Sequence, residues 1–494
     1  MTLIFVLFCP IIIIFYHNIS RHQNAEPFVG TTSTQDPTFY FCVALFIMSS
    51  PNGSTPKRDK QSAKCCYLDY NGTTRVHPSV VEAMLPYLTE HFGNPSSSHY
   101  YGQEPKRAVN HARLVLLRLI LPKDVSESDV EPSCIVFTGC GTESNNMAIR
   151  MALLSSLHKV DESGMLHVVA TNIEHPAISQ CLASYSSQDG LTPKISVSYV
   201  PVNEEGIVSA QAVLDAIQPN TALVTVMTAN NEVGSIQPVS EIAAACRERK
   251  VLFHTDAAQA VGKMDLRGLA HRSAGADMIT IVGHKFGAPK GIAALYIRQN
   301  ALDKEISGGS VLLMGGGQEG GRRGGTENVP YMVGMGRAAE LLLEQRQNPF
   351  QTDNTIDGWE YNSLRMKQMK ERLLKNISDG LDNVMEIRVN GPSDAKKALP
   401  NTLSIGLKGI QSGILLSNIG EIVACSAGSA CHSSSSAACQ YSSILKAMNV
   451  PPEFAIGTLR LSVGPDITEE EVDRAGSIIV EEARGQLGLR HSAR

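Results

Sequence analysis

The sequence predicts an α/β protein with two folded parts, a large domain on a mainly parallel sheet and a smaller α+β domain after it. Three observations predict this. Short apolar runs alternate with helical patterns from about Tyr67 onward, the texture changes near residue 345, and the residues that carry chemistry fall where strands end.

The 494 residues leave room for two to four domains of about 150 residues each. The first residues, MTLIFVLFCPIIIIFYHNIS, are strongly apolar, and a second apolar run ends at Met48. The first run holds about 15 residues and is broken by Pro10, short of the roughly 20 that a spanning helix needs, and it lacks the basic start of a signal peptide. Residues 1–64 are therefore expected to be a hydrophobic extension and polar linker on a cytoplasmic protein. Translation from Met48 removes both apolar runs, and a membrane anchor is the alternative reading.

Residues 65–345 are expected to form the large domain and residues 346–494 the small one. In the large domain CIVFT precedes ESNNMAIRMALLSSL, LHVVATNI precedes EHPAISQCLASY, and VLFHT precedes DAAQAVG, each read as a strand followed by a helix. ALVTVMTAN and ADMITIV read as further buried strands. Past residue 345 the polar stretch QRQNPFQTDNTIDGWEYN leads into a charged helix around Met366 to Ile377, and NTLSIGL reads as a shorter strand.

A formal charge of −5, with no basic run interleaved with aromatics, argues against a nucleic-acid partner. Eleven scattered cysteines make no disulfide framework, which fits a reducing compartment. Cys425, Cys431 and Cys439 lack the CxxC spacing of a structural zinc site, so no metal is expected.

Four strand ends carry the candidate site. FTGCGTESNN is a glycine-rich turn opening a helix, where backbone donors and the helix dipole suit a phosphate; the competing reading is a dinucleotide turn. NIEHPAIS places His175 before Pro176 at a helix start, to stack on a ring or to cap the turn. LFHTDAAQAVG ends a strand in Asp256, with Gln259 three residues on, where a carboxylate either pairs with a pyridine nitrogen or caps a helix. In IVGHKFGAPKG, Lys285 ends a buried strand; burial disfavours its ammonium and leaves the neutral amine that a Schiff base requires, unless it is a surface lysine. Together a phosphate cradle, a stacking histidine, an acid and an amine are the parts of a pyridoxal phosphate site.

With those residues in place, the chain from about Tyr67 to Gly488 closely resembles the cysteine desulfurase and selenocysteine lyase family of the fold-type I, class-V aminotransferases. YLDYNGTT, GNPSS, ANNEVGSIQP, GGGQEGGRRGGTEN, GSACHS and LRLSVG carry the likeness along with the four strand ends. The resemblance implies a pyridoxal 5'-phosphate enzyme and a homodimer. It makes Lys285 the Schiff-base lysine, Asp256 the partner of the pyridine nitrogen and His175 the stacking residue. Gly141, Thr142 and His284 match phosphate contacts, and Thr326 matches a threonine reaching the phosphate of the opposite subunit. Asn231 and Gln259 match the surroundings of the cofactor's phenolic oxygen, Arg460 with Asn231 the substrate carboxylate site, and Cys431 the catalytic cysteine. The small residues around Cys431 also suit a loop that carries a thiol to a cleft.

Within the family, ACHS and the other motifs are similar to the selenocysteine lyase branch. The implied reaction converts L-selenocysteine to L-alanine and passes reduced selenium to an acceptor. The alternative is a cysteine desulfurase that forms a persulfide on Cys431 and hands sulfur to an acceptor protein.

Overall fold

The computed structural model describes residues 65–126, 131–187, 190–271, 274–302, 312–427 and 441–488, without the side chains of residues 352 and 353. The apolar runs of the first half become seven strands: β1 (Ile135–Thr138), β2 (Met165–Thr171), β3 (Lys194–Val200), β4 (Thr221–Thr225), β5 (Leu252–Asp256), β6 (Met278–Val282) and β7 (Ala293–Ile297). They form one sheet in the order β1-β7-β6-β5-β4-β2-β3. Strand β7 runs antiparallel to both its neighbours, and every other adjacent pair is parallel.

Strands β1, β4, β6 and β7 are buried at every position, which is why they read as continuous apolar runs and not as alternation. Along β2 the side chains separate by parity. Val168 and Ala170 join an apolar cluster with Met147, Ile178 and Leu182, from helices α2 (Gly141–Ser155) and α3 (Pro176–Ser186). Val169 between them joins a second cluster with Leu116 and Ile242, from α1 (Tyr100–Ile120) and α4 (Val239–Glu248). Successive strand residues point to opposite faces, so the sheet is covered on both sides.

A second sheet is built from β8 (Ile387–Asn390), β9 (Thr402–Leu407), β10 (Ser426–Ala427) and β11 (Thr458–Ser462), antiparallel and in the order β8-β9-β11-β10. Helices α5 (Gly358–Leu381) and α6 (Glu469–Gln486) supply Leu373 and Ile479 to its core, beside Ile405 and Leu461. Cys66 and Leu68 belong to this same core, and Cys66–Tyr67 pairs with Val423–Ala424, so the start of the described chain serves the second sheet.

One expectation changes. DAAQAVG forms a run of turns and not a helix, with Gly262 at a φ of 74° breaking the path. The polar stretch after residue 345 is an antiparallel hairpin, Gln345–Asn348 against Gln351–Asp357. Among the described residues no helix is long and apolar enough to cross a membrane.

Candidate active site

The carboxyl ends of β1, β2, β5 and β6 open on one cavity of about 400 Å³, the place where an open parallel sheet leaves backbone groups free to serve a ligand. Cys140, Gly141 and Thr142 line it after β1, His175 after β2, Asp256 and Gln259 at β5, and His284 and Lys285 after β6. Asn231, Arg460 on β11, and Asn71 complete it from elsewhere in the chain.

At the first strand end, α2 starts with no side chain capping it, because Cys140 at the cap position makes no such bond. The first-turn N–H groups have no intrahelical acceptor, and the dipole adds positive character there. A Cβ on Gly141 would stand 2.6 Å from Val282 Cγ2, so the close approach of this turn to β6 requires glycine. His175 caps α3, its Nδ1 accepting from the Ala177 N–H at 3.1 Å, which puts the proton of the neutral ring on Nε2. Burial lowers its pKa, with Lys285 adding and Asp256 opposing.

Asp256 is buried and accepts from Asn145 Nδ2 at 2.7 Å and from the Ala258 N–H at 2.9 Å. A carboxylate has about four acceptor sites, so one donor on each oxygen leaves room for a donor from the cavity. Lys285 ends the turn Gly283–Lys285, and its Nζ donates to the Asn71 carbonyl at 2.7 Å and the Gly72 carbonyl at 2.8 Å. Burial, then the Arg460 guanidinium, push its pKa down to about 8 against the pull of Asp256 and Asp69. His284 Nδ1 lies 3.1 Å from Thr73 Oγ1, and burial, then Lys285 and Lys290, hold its ring at about 4.

Arg460 donates through Nη2 to Asp69 Oδ1 at 2.7 Å and Ser426 Oγ at 3.1 Å. Its Nε is buried without a partner among the described residues. Gln259 Nε2 donates to the Asn71 carbonyl at 3.0 Å, and Asn71 Nδ2 donates to the Asn231 carbonyl at 3.1 Å.

Nine of the eleven candidate residues therefore meet at one cavity. Thr326 is exposed and does not line it, and Cys431 lies outside the described residues. Sequence reasoning missed Asn145 and Asn71. Asn145 sits four residues after Gly141, one helical turn on and on the same face, which was a readable signal. Asn71 lies inside YLDYNGTT, but nothing local says that its carbonyl holds a lysine from β6.

This arrangement fits pyridoxal phosphate: an uncapped helix start for the phosphate, a carboxylate with acceptor capacity to spare, and an amine whose ionisation burial disfavours. Among the described residues no group of three or more metal-ligating side chains is placed to hold a metal ion.

The chain matches the aminotransferase class-V family over residues 66–475. It is 40% identical over 416 residues to a cysteine desulfurase of Nostoc sp., a match that covers 84% of this chain and 92% of that one. A cysteine desulfurase of Rattus norvegicus is 35% identical over 425 residues, 86% of this chain and 84% of the relative. Among solved structures, a NifS-like protein aligns with a TM-score of 0.68 at 30% identity, over 85% of this chain and 99% of its own. The protein SspA in complex with cysteine aligns with a TM-score of 0.61 at 28% identity, over 81% of this chain and 99% of its own.

Proposed function

We propose, because this chain belongs to the class-V aminotransferase family of pyridoxal phosphate enzymes, that it takes sulfur from L-cysteine, leaving L-alanine and a persulfide on Cys431. The observation that carries the reading is the convergence of Lys285, Asp256, His175 and Arg460, from four separate strand regions, on a single cavity. The cysteine desulfurases among its relatives support sulfur as the leaving atom.

Pyridoxal phosphate, when bound, supplies a carbonyl for the substrate amine and a ring that withdraws electrons from the substrate's carbons. The start of α2, with Gly141, Thr142 and His284, holds its phosphate. Asp256 would pair with its ring nitrogen, His175 would stack on the ring, and Gln259 and Asn231 would serve its phenolic oxygen. Lys285 Nζ holds the cofactor and then moves protons at the substrate's carbons. Arg460 takes the substrate carboxylate with its planar fork, beside Asn231. The Cys431 thiolate attacks the substrate sulfur. An S–S bond forms as the C–S bond breaks, and the β-carbon takes a proton to become the methyl group of alanine. The persulfide sulfur then passes to an acceptor protein. Thr326 serves the phosphate of a second protomer, so the enzyme works as a homodimer.

A second reading takes L-selenocysteine as the substrate and rests on ACHS at residues 430–433 within a motif set similar to selenocysteine lyases. A selenol is ionised at neutral pH, whereas a thiol with a pKa of about 8.5 is mostly protonated, so selenium leaves with less help from Cys431. Steady-state rates on both amino acids, for the wild type and Cys431→Ala, separate the two. Cysteine turnover lost in the variant marks the desulfurase. A wild type that strongly prefers selenocysteine, with activity retained in Cys431→Ala, marks the selenocysteine lyase.

A further inference from the structure

We propose that Lys263 is a positioning residue: by donating to Gln259 and Asn71 it fixes which end of each side-chain amide is turned toward the active-site cavity. The lysine is only 4% exposed, and its Nζ donates to Gln259 Oε1 at 2.7 Å and Asn71 Oδ1 at 2.9 Å. The amine brings at least two N–H donors to these two contacts, and both partners present oxygen to it, which turns their NH₂ groups elsewhere. Gln259 Nε2 then reaches the Asn71 carbonyl, which also accepts from Lys285 Nζ. Asn71 Nδ2 reaches the Asn231 carbonyl and Thr402 Oγ1. Asn231 is thus tied to the Asn71 amide, whose sense Lys263 sets together with Asn401 Nδ2, and Lys285 shares the Asn71 backbone carbonyl with the Gln259 amide.

A buried lysine that satisfies two amide oxygens also serves the fold, so the positioning role is tested by readouts that packing alone would not move. Burial, then Lys285 and Arg460, press the pKa of Lys263 well down, and a neutral amine keeps the two N–H donors that its two amide oxygens require. Nothing in the proposal needs Lys263 to touch substrate or cofactor.

The proposal rests on Gln259 being a cofactor contact, and a double-mutant cycle on the full cofactor-loaded chain tests the two claims apart. Lys263→Met and Gln259→Leu should each raise the dissociation constant of pyridoxal phosphate about tenfold, and Lys263→Met should shift the visible absorption maximum of the bound cofactor. The double variant should bind no worse than Gln259→Leu alone, because the lysine acts through the amide. The thermal midpoint of Lys263→Met should fall, because two buried amide oxygens lose a donor, so the absorption shift and the non-additivity of the cycle decide the role. If Lys263→Met does not fold, Lys263→Gln, which keeps one donor, should lose about threefold in affinity. Losses that multiply in the double variant, or a silent lysine variant beside a costly Gln259→Leu, overturn the proposal. A silent Gln259→Leu overturns the role of Gln259, and this inference with it.

Discussion

The two sides of the cavity are held by different means. On the sheet-end side two groups are tied within two residues of themselves or by one neighbouring helix: His175 to the Ala177 N–H, Asp256 to the Ala258 N–H and to Asn145. Lys285 and His284 on that side reach instead to Asn71, Gly72 and Thr73. On the opposite side Arg460 stands in a strand of the antiparallel sheet and is held by Asp69 and Ser426, from distant parts of the chain. The first side presents its histidine and its aspartate at geometry that the local backbone sets. The second presents a cation already paired with an internal carboxylate, which, on the proposed function, a substrate carboxylate has to displace or share. Damage on the sheet-end side should remove chemistry, and damage on the arginine side should mainly remove binding.

The largest expected effect is on the sheet-end side. Lys285→Ala should lower kcat by about 10⁴, the upper end of what one proton-transfer group contributes, with thermal stability unchanged or raised because a buried amine is gone. The sign of the pH dependence follows from the lowered pKa. Only the neutral amine captures a carbonyl, so pyridoxal phosphate capture by the cofactor-free chain should rise about tenfold per pH unit and level off above about pH 8. Stopped-flow absorbance across pH 6 to 10, in the wild type and in Lys285→Ala, measures it. Capture at full rate by the alanine variant would assign the amine to Lys290 or another lysine.

The same contrast explains what was legible in the sequence. Lys285, Asp256, His175 and the Gly141–Thr142 turn were readable because a buried parallel strand is a continuous apolar run and its end is where a polar residue stands out. The order of the strands was not readable, nor was the antiparallel placement of β7 between β1 and β6. Asn71, the hub of the network, escaped because its partners come from β6, the turn after β5 and the second sheet, and no local pattern joins them. The expected helix at DAAQAVG failed for a local reason, a glycine in the left-handed region that apolar periodicity does not register. Arg460 was found through resemblance and not by pattern, since an arginine in an antiparallel strand reads as ordinary surface until its pair with Asp69 is seen.

The next pair of substitutions can break the comparison. Asp256→Asn keeps the size and one acceptor of the side chain, so it should fold and cost about 10²-fold in kcat with little change in KM, as a lost electrostatic contact to the reacting system does. Arg460→Lys keeps the charge and loses the fork, so it should raise KM for the amino acid about tenfold and change kcat less. Steady-state kinetics on L-cysteine at fixed saturating cofactor give both constants. If Arg460→Lys lowered kcat as far as Asp256→Asn at unchanged KM, the two sides would not divide chemistry from binding.

The smallest effect tests how far the sheet-end side depends on charge. Glu174, beside His175, is buried, with Oε1 accepting from Thr171 Oγ1 at 2.6 Å and the Met227 N–H at 3.0 Å, and with Oε2 unpartnered among the described residues. Burial, with Asp256 adding, raises its pKa to about 8, so at pH 7 the side chain is mostly the neutral acid. Glu174→Gln should therefore change kcat at pH 7 by less than about twofold, because the amide keeps an acceptor for both donors. Stability gives the sharper reading. Between about pH 4.3 and 8 the folded state holds a proton that the unfolded chain has released, so the contribution of Glu174 is whole at acid pH and is lost as pH rises through about 8. Urea midpoints at intervals from pH 5 to 9 should accordingly fall less steeply in Glu174→Gln than in the wild type. Equal slopes would mean that Glu174 is ionised in the folded chain.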